Sequence, residues 1–276
     1  MTPVADEVVA ALSDGALSVV GRIPHASNLT LVATVDDGTG GEVRCVYKPV
    51  RGEVPLWDFP DGTLAGREVA AYTVCADLGW DTVPHTVLRD EGPHGAGMVQ
   101  RWVDVADPIE AVPVPEPELV DLCAPDAVPP GYFAILEGYD GRGEPVVLIH
   151  ADDPRLQRMA VLDVLLNNAD RKGGHILPAG DGVVYGIDHG ICLHEHDKLR
   201  TVLWGWAGAS VPGGLLADVD AFATRLADTD GELRARLTTL ITPDETAALL
   251  RRARRLVDDP FLPEPPAHRA IPWPPF

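Results

Sequence analysis

The sequence predicts an α+β fold with a β-rich front and a helical rear, on three observations. The first fifty residues hold three runs of strand character, 17–22, 29–35 and 43–47, with turns at 24–28 and 36–41. The last third reads as helices over 215–227 and 231–240. A further helix starts at Thr242-Pro243-Asp244-Glu245, which offers an N-cap, an N1 proline and a capping-box glutamate, and runs to about Asp258. Between these parts, residues 159–190 run from an apolar helical face into a polar, glycine-hinged loop and then a hairpin. The rest of the chain is organised around that stretch.

Taken in order, residues 5–13 read as a short amphipathic helix ending at Asp14-Gly15. The turn 21–28 is either an ordinary hairpin or a loop that folds over phosphates with its N–H groups, the Ser27 hydroxyl and Asn28; it is neither a Walker A nor a G-x-G-x-x-G loop. Val46-Tyr47-Lys48-Pro49 ends a β run on a lysine. Residues 51–63 form a Pro/Gly-rich loop whose only large aromatics are Trp57 and Phe59, read as exposed. Residues 65–79 read as a helix carrying Glu68 and stopped by Gly79. Residues 97–104, including Gln100, Arg101 and Trp102, read as a strand entering a connector. The proline-rich segment 107–131 is expected to be extended and partly mobile. Residues 132–150 contain short apolar runs about a 139–143 turn and receive no assignment. The tail 260–276 is expected to be extended and docked through Phe261, Trp273 and Phe276.

In the central stretch, Met159, Leu162, Leu165 and Leu166 share one buried helical face. The polar loop 167–175 follows. Two β-like runs, 176–177 and 183–185, flank the turn Ala179-Gly180-Asp181-Gly182. The hairpin brings Asp188 back toward Asp170, eighteen residues earlier. Two carboxylates so placed divide the labour of phosphoryl transfer: one takes a proton while the other holds a metal ion.

Asn168-Ala169-Asp170-Arg171, a polar residue five after Asp170, and Gly186-Ile187-Asp188-His189-Gly190 resemble the catalytic and metal-binding motifs of the phosphatidylinositol 3/4-kinase-like superfamily. The likeness is closest to type II phosphatidylinositol 4-kinases and their bacterial, actinobacterial-type relatives. Leu78-Gly79-Trp80-Asp81-Thr82-Val83-Pro84-His85-Thr86 and the order of His196-Asp197, Arg200 and the following tryptophans extend it over roughly residues 20–210. The resemblance implies a bilobal protein-kinase-like fold. A small N-lobe would span 1–103 with its hinge at 98–103, a larger, mainly helical C-lobe 104–259, and a proline-rich tail 260–276.

It also implies ATP as cofactor with Mg or Mn. Lys48 would meet the α/β-phosphates and Glu68 would orient it. Ser27, Asn28, Gln100, Arg101 and Trp102 would line the nucleotide site. Asp170 would steer the acceptor's proton with Arg171 supporting the loop, and His175 and Asp188 would hold metal. One departure stands out: the family has asparagine where this chain has His175, and magnesium prefers oxygen. Two alternatives therefore stay open, a nucleotide-binding pseudokinase or regulatory module and a kinase-fold nucleotidyl transferase.

Composition narrows the partners. A net charge of −20 opposes nucleic acid, which requires a basic face. No apolar run approaches a membrane span, the N-terminus lacks signal-peptide character, and the four cysteines form no Cys-x-x-Cys pair, so the expected location is a reducing cytoplasm. The only lysines are Lys48, Lys172 and Lys198 and the only asparagines Asn28, Asn167 and Asn168, which marks these positions in an arginine-rich chain. His194-x-His196 near Cys192 invites zinc but lacks paired ligand knuckles. Arg251, Arg252, Arg254 and Arg255 are expected to form a solvated face. The loop 51–63 lacks the cysteines that anchor the eukaryotic lipid kinases. The acceptor is therefore expected to be a soluble protein or small molecule, without membrane association.

Overall fold

A computed structural model describes residues 3–24, 26–60, 63–105 and 118–276. Helix α1 (Pro3–Asp14) leads into strands β1 (Leu17–Arg22), β2 (Leu31–Asp36) and β3 (Glu42–Pro49). After helix α2 (Leu64–Asp77) come β4 (Thr86–Arg89) and β5 (Gly97–Arg101). These five strands form one antiparallel sheet in the order β1-β2-β3-β5-β4. Leu31, Ala33 and Val35 alternate inward along β2 and pack with Leu12 of α1, Cys45 and Tyr47. That alternation is the period-2 signature of a half-buried strand.

Helix α2 is buried almost all round, which its small residues Ala65, Gly66, Ala70 and Ala71 permit. Its first turn is capped twice: Thr63 accepts from the Gly66 N–H at 2.9 Å, and the Glu53 carboxylate accepts from Leu64 and Ala65 at 3.0 and 2.8 Å. Ala65 and Val69 pack with Met98 of the sheet, whereas Ala70, Ala71, Val74 and Cys75 belong to the larger core beyond it.

A second antiparallel sheet, β6 (Val120–Cys123), β7 (Tyr132–Tyr139) and β8 (Pro145–Ala151), has the order β6-β8-β7. It occupies the stretch left unassigned from sequence and the end of the segment expected to be an extended connector. Residues 107–117 of that connector lie outside the described residues, as does His25 of the first turn. Helix α3 (Pro154–Leu166) then buries Met159, Leu162, Leu165 and Leu166 in the large core, and β9 (Ile176–Pro178) pairs with β10 (Val184–Gly186) as a short hairpin. Helices α4 (Gly213–Ala227), α5 (Glu232–Thr238) and α6 (Pro243–Asp258) close the other side of that core. The capping box at Thr242 and Glu245 is formed as the sequence requires.

The tail does not dock through all three expected aromatics. Trp273 is 82% exposed, and the buried contacts fall to Leu262 and Pro272. Phe276 lies against Gly173, whose missing Cβ makes room for its ring, and the Gly173 N–H donates to the Pro275 carbonyl at 2.8 Å. No helix among the described residues is long and apolar enough to cross a membrane.

Candidate active site

The polar loop after α3 is built on one buried carboxylate. Asp163 sits four residues after Met159 and three before Leu166, on the apolar face, and is fully buried. It accepts hydrogen bonds from Asn168 Nδ2 at 2.9 Å, Arg171 Nε and Nη2 at 3.1 and 2.9 Å, and Thr201 Oγ1 at 3.2 Å. Arg171 is also fully buried; its remaining donors reach the Ile187 carbonyl at 3.1 Å and His189 Nε2 at 2.7 Å. Arg171 therefore touches no substrate and is a positioning residue, tying the loop to the segment that carries Asp188. Sequence reasoning missed Asp163; the available signal was a charge on a helical face otherwise made of Met and Leu.

Asn167 ends α3 in the left-handed region at φ 52°, which asparagine tolerates better than most residues. Its amide donates to the His194 and His196 carbonyls, and its oxygen accepts from the Lys198 N–H at 2.7 Å. Asn168 Oδ1 accepts from the Asp170 N–H at 3.0 Å. Both asparagines thus fix the loop just before Asp170.

Across the cleft, β3 delivers Lys48 and α2 delivers Glu68. Lys48 Nζ donates to Glu68 Oε1 at 2.5 Å and to Asp188 Oδ1 at 2.7 Å. Asp188 stands at φ 60°, a strained conformation that places its carboxylate between Lys48 and His175. Its other oxygen lies 3.4 Å from His175 Nε2. Asp170 is partly buried, with Lys172 Nζ at 3.5 Å.

The charges set one another. Burial opposes the charge on Lys48, but the Glu68 and Asp188 carboxylates outweigh it and raise its pKa. Lys48 in turn, against the effect of burial, holds Asp188 well below the usual carboxylate range. Burial raises Glu68, with Lys48 pulling the other way. Asp170 is raised by burial and by Asp188, partly offset by Lys172. Burial lowers His175 to about 4, so its imidazole is neutral at neutral pH.

His175 and Asp188 therefore present a neutral imidazole nitrogen and an ionised carboxylate close enough to bind one cation, and His175 Nδ1 has no hydrogen-bond partner among the described residues. This mixed nitrogen–oxygen pair fits manganese better than magnesium. Among the described residues no group of three or more His, Cys, Asp or Glu side chains is arranged for a metal, so a cation at this pair would need further ligands from outside these side chains. His194 and His196 likewise belong to no such group among the described residues. The Cys192 thiol is buried, donates to the His189 carbonyl and is raised by burial, while His194 packs edge-on against Phe59.

Several sequence candidates lie apart from this cluster. Ser27 is exposed, and Asn28 Oδ1 accepts from the Val54 N–H at 2.8 Å, which fixes a loop. Gln100 is buried and donates to Thr86 Oγ1 at 2.8 Å, so its side chain faces the sheet. Arg101 and Trp102 line a small cavity of about 360 Å³ beside Tyr185, where the Arg44 guanidinium lies over the Trp102 ring. Phe59 is not exposed: it is 7% accessible, with Arg67 and Lys198 over its faces, while Trp57 is 88% accessible.

Two buried histidines and the half-buried His175 give a pH dependence of stability. Burial lowers His150, His175 and His189 below the ordinary 6.5, so the unfolded chain binds more protons than the folded one as pH falls beneath that value. Stability should therefore drop on acidification from about pH 6.5. His150 is the separable case, because its Nε2 accepts from the Gly205 N–H at 3.0 Å and protonation destroys that bond. Thermal melting across this range should show the drop, and His150→Gln should flatten it. An identical pH profile in the variant would contradict the assignment.

No family model matches the sequence. The chain is 27% identical over 214 residues to phosphatidylinositol 4-kinase gamma 4 of Oryza sativa subsp. japonica, covering 64% of this chain and 32% of that one. In fold it is similar to hydra Fam20, solved with sugar, at a TM-score of 0.53 and 14% identity over 93% of this chain and 88% of that one. It is also similar to the Golgi casein kinase with Mn/ADP bound, at 0.52 and 13% over 92% and 74% of the two chains. The α+β architecture is thus that of kinase-like folds. The chain is 54% identical over 272 residues to Protein Rv2133c of Mycobacterium tuberculosis (strain ATCC 25618 / H37Rv), covering 98% of this chain and 96% of that one. With that identity over nearly the whole of both chains, this protein belongs to the Rv2133c family.

Proposed function

We propose that the protein is an ATP-dependent phosphotransferase of the phosphatidylinositol 3/4-kinase-like type, acting on a hydroxyl of a soluble protein or small molecule. The observation that carries this reading is Lys48. Its ammonium lies within 2.5 Å of Glu68 and 2.7 Å of Asp188, although these carboxylates are 20 and 140 residues away in sequence. A half-buried lysine held between two carboxylates at a cleft suits phosphate neutralisation. The manganese and ADP of the Golgi casein kinase and the similarity to a phosphatidylinositol 4-kinase support nucleotide and divalent cation as its ligands.

In this reading Lys48 contacts the α/β-phosphates and Glu68 fixes its position. Asp170, raised by burial, accepts the acceptor's proton more readily than an ordinary carboxylate would. Arg171, through Asp163, keeps the Asp170 loop in register with the Asp188 segment. A divalent cation held by His175 and Asp188 would neutralise charge developing on the phosphates. Catalysis of this kind is positioning and charge complementarity, which these groups supply.

The test uses ATP labelled separately at the α- and γ-phosphates, with manganese and with magnesium. Gamma label should pass to acceptor or water, faster with manganese. Transfer of α label would make the protein a nucleotidyl transferase, and ATP binding without transfer a pseudokinase. Lys48→Arg should lower turnover by on the order of 10²-fold, because a guanidinium fork does not fit the site of a compact ammonium. Wild-type turnover in that variant would place the lysine outside the chemistry.

A further inference from the structure

Helix α6 was expected to present its four arginines to solvent, and one of them does not comply. Arg252 is 5% accessible. Its Nε donates to the Leu165 carbonyl at 2.9 Å and its Nη1 to the His194 carbonyl at 3.2 Å, so the side chain is locked in place. Its Nη2 is buried without a hydrogen-bond partner among the described residues. The nearest carboxylate, Asp197, is 4.0 Å from Nη1 and is engaged by Arg255 at 3.1 Å. A buried guanidinium with an unused donor and an incompletely balanced charge is unfavourable unless something else meets it.

That something has a place to sit. Arg252 lines a cavity of about 780 Å³ between α6, the segment from Asp197 to Trp204 and the tail from Phe261 to Arg269. This volume is that of a small-molecule site. Arg200 and Arg269 also line it and form no ion pair among the described residues, and Trp204 and Phe261 supply apolar wall. Asp259 and Glu264 lie at the same cavity, yet cations outnumber acids there in a chain that carries −20 overall. Burial lowers Arg252 to about 10, which leaves it charged at neutral pH.

We propose that this cavity binds a small molecule bearing a phosphate group on an apolar body, with the phosphate on Arg252 Nη2 and Arg255 and the body against Trp204. The unpartnered Arg252 Nη2 offers its N–H groups to phosphate oxygens, and a second arginine at the rim matches the second charge. None of Lys48, Glu68, Asp170, His175 and Asp188 lines this cavity, although Arg200 on its wall acts electrostatically on Asp170, and the proposal does not depend on the function proposed for the cleft.

Phenyl phosphate is a suitable probe, titrated calorimetrically into the full chain without nucleotide or metal. Saturable binding is expected. Arg255→Glu should weaken it about tenfold, and because that side chain is 65% accessible the fold should not suffer. Arg252→Gln should weaken it at least as much if the variant folds; if it does not, Arg255→Glu decides alone. Lys48→Met should leave the affinity unchanged. No saturable binding, the wild-type affinity in Arg255→Glu, or loss in Lys48→Met would overturn the proposal, the last by placing the phosphate in the cleft. Equal affinity for benzoate would overturn the assignment of phosphate.

Discussion

Asp188→Ala should abolish the metal-dependent part of ATP binding and cut turnover by on the order of 10²–10³-fold. Two of the three groups that converge at the cleft would lose their common partner: Lys48 at 2.7 Å and His175 at 3.4 Å. The imidazole alone is a poor ligand for a divalent cation, and no third side chain among the described residues takes over. Backbone strain is a possible confounder, since alanine at φ 60° is less tolerated than aspartate. Asp188→Asn separates the two effects: asparagine accepts that conformation but lacks the charge. Calorimetric titration of ATP with and without manganese should give one weak, metal-independent affinity for both variants. If Asp188→Asn keeps the wild-type metal dependence, the cation is held elsewhere.

The second large effect is on stability. Asp163→Ala should destabilise the fold by on the order of 3–5 kcal/mol, because it leaves the buried Arg171 charge without its carboxylate. Asn168 and Thr201 lose an acceptor at the same time. Removing both charges should be milder. Asp163→Leu with Arg171→Met restores apolar volume to a site that excludes water, and should recover a substantial part of the loss. Urea denaturation of the two single variants and the pair measures this coupling. A loss below about 1 kcal/mol in Asp163→Ala would mean that water or another group compensates. Turnover should remain low in the double variant even where stability returns, since the Asp170 loop has lost its tie to Ile187 and His189.

Local chemistry determined which parts of this fold were legible. Strand β2 and the hairpin after Asp170 announced themselves through alternation and glycine turns, and the α6 start through its capping box. The pairing of Lys48 with Glu68 followed only from resemblance, because no pattern in one chain tells two residues on different elements that they meet. The sheet β6-β8-β7 was invisible for a physical reason. Strand β6 is only four residues long and lies among prolines, β7 is largely accessible along its length, and β8 buries a continuous run, so no period-2 alternation marked them. Arg252 and Phe59 failed in the same sense, both read as exposed and both buried. The arginine looked like surface because its neighbours are arginines, and the phenylalanine looked exposed because it lies in a loop; tertiary contacts with Leu165, Arg67 and Lys198 overrode both.

The helix that carries Glu68 is held in a way that bears on control. Arg67, its neighbour in α2, is buried, bonds the Cys192 carbonyl at 2.9 Å and pairs with Glu245 of α6 at 2.6 Å. The helix also contributes side chains to two separate cores. Swinging it outward would strand an arginine charge and open both cores together, a penalty of several kcal/mol. Some catalysts are silenced by drawing such a glutamate away from its lysine. That lever is locked here, so the lysine–glutamate pair is a constitutive fixture. Any on–off control must act through what enters the cleft or through the segments that border it.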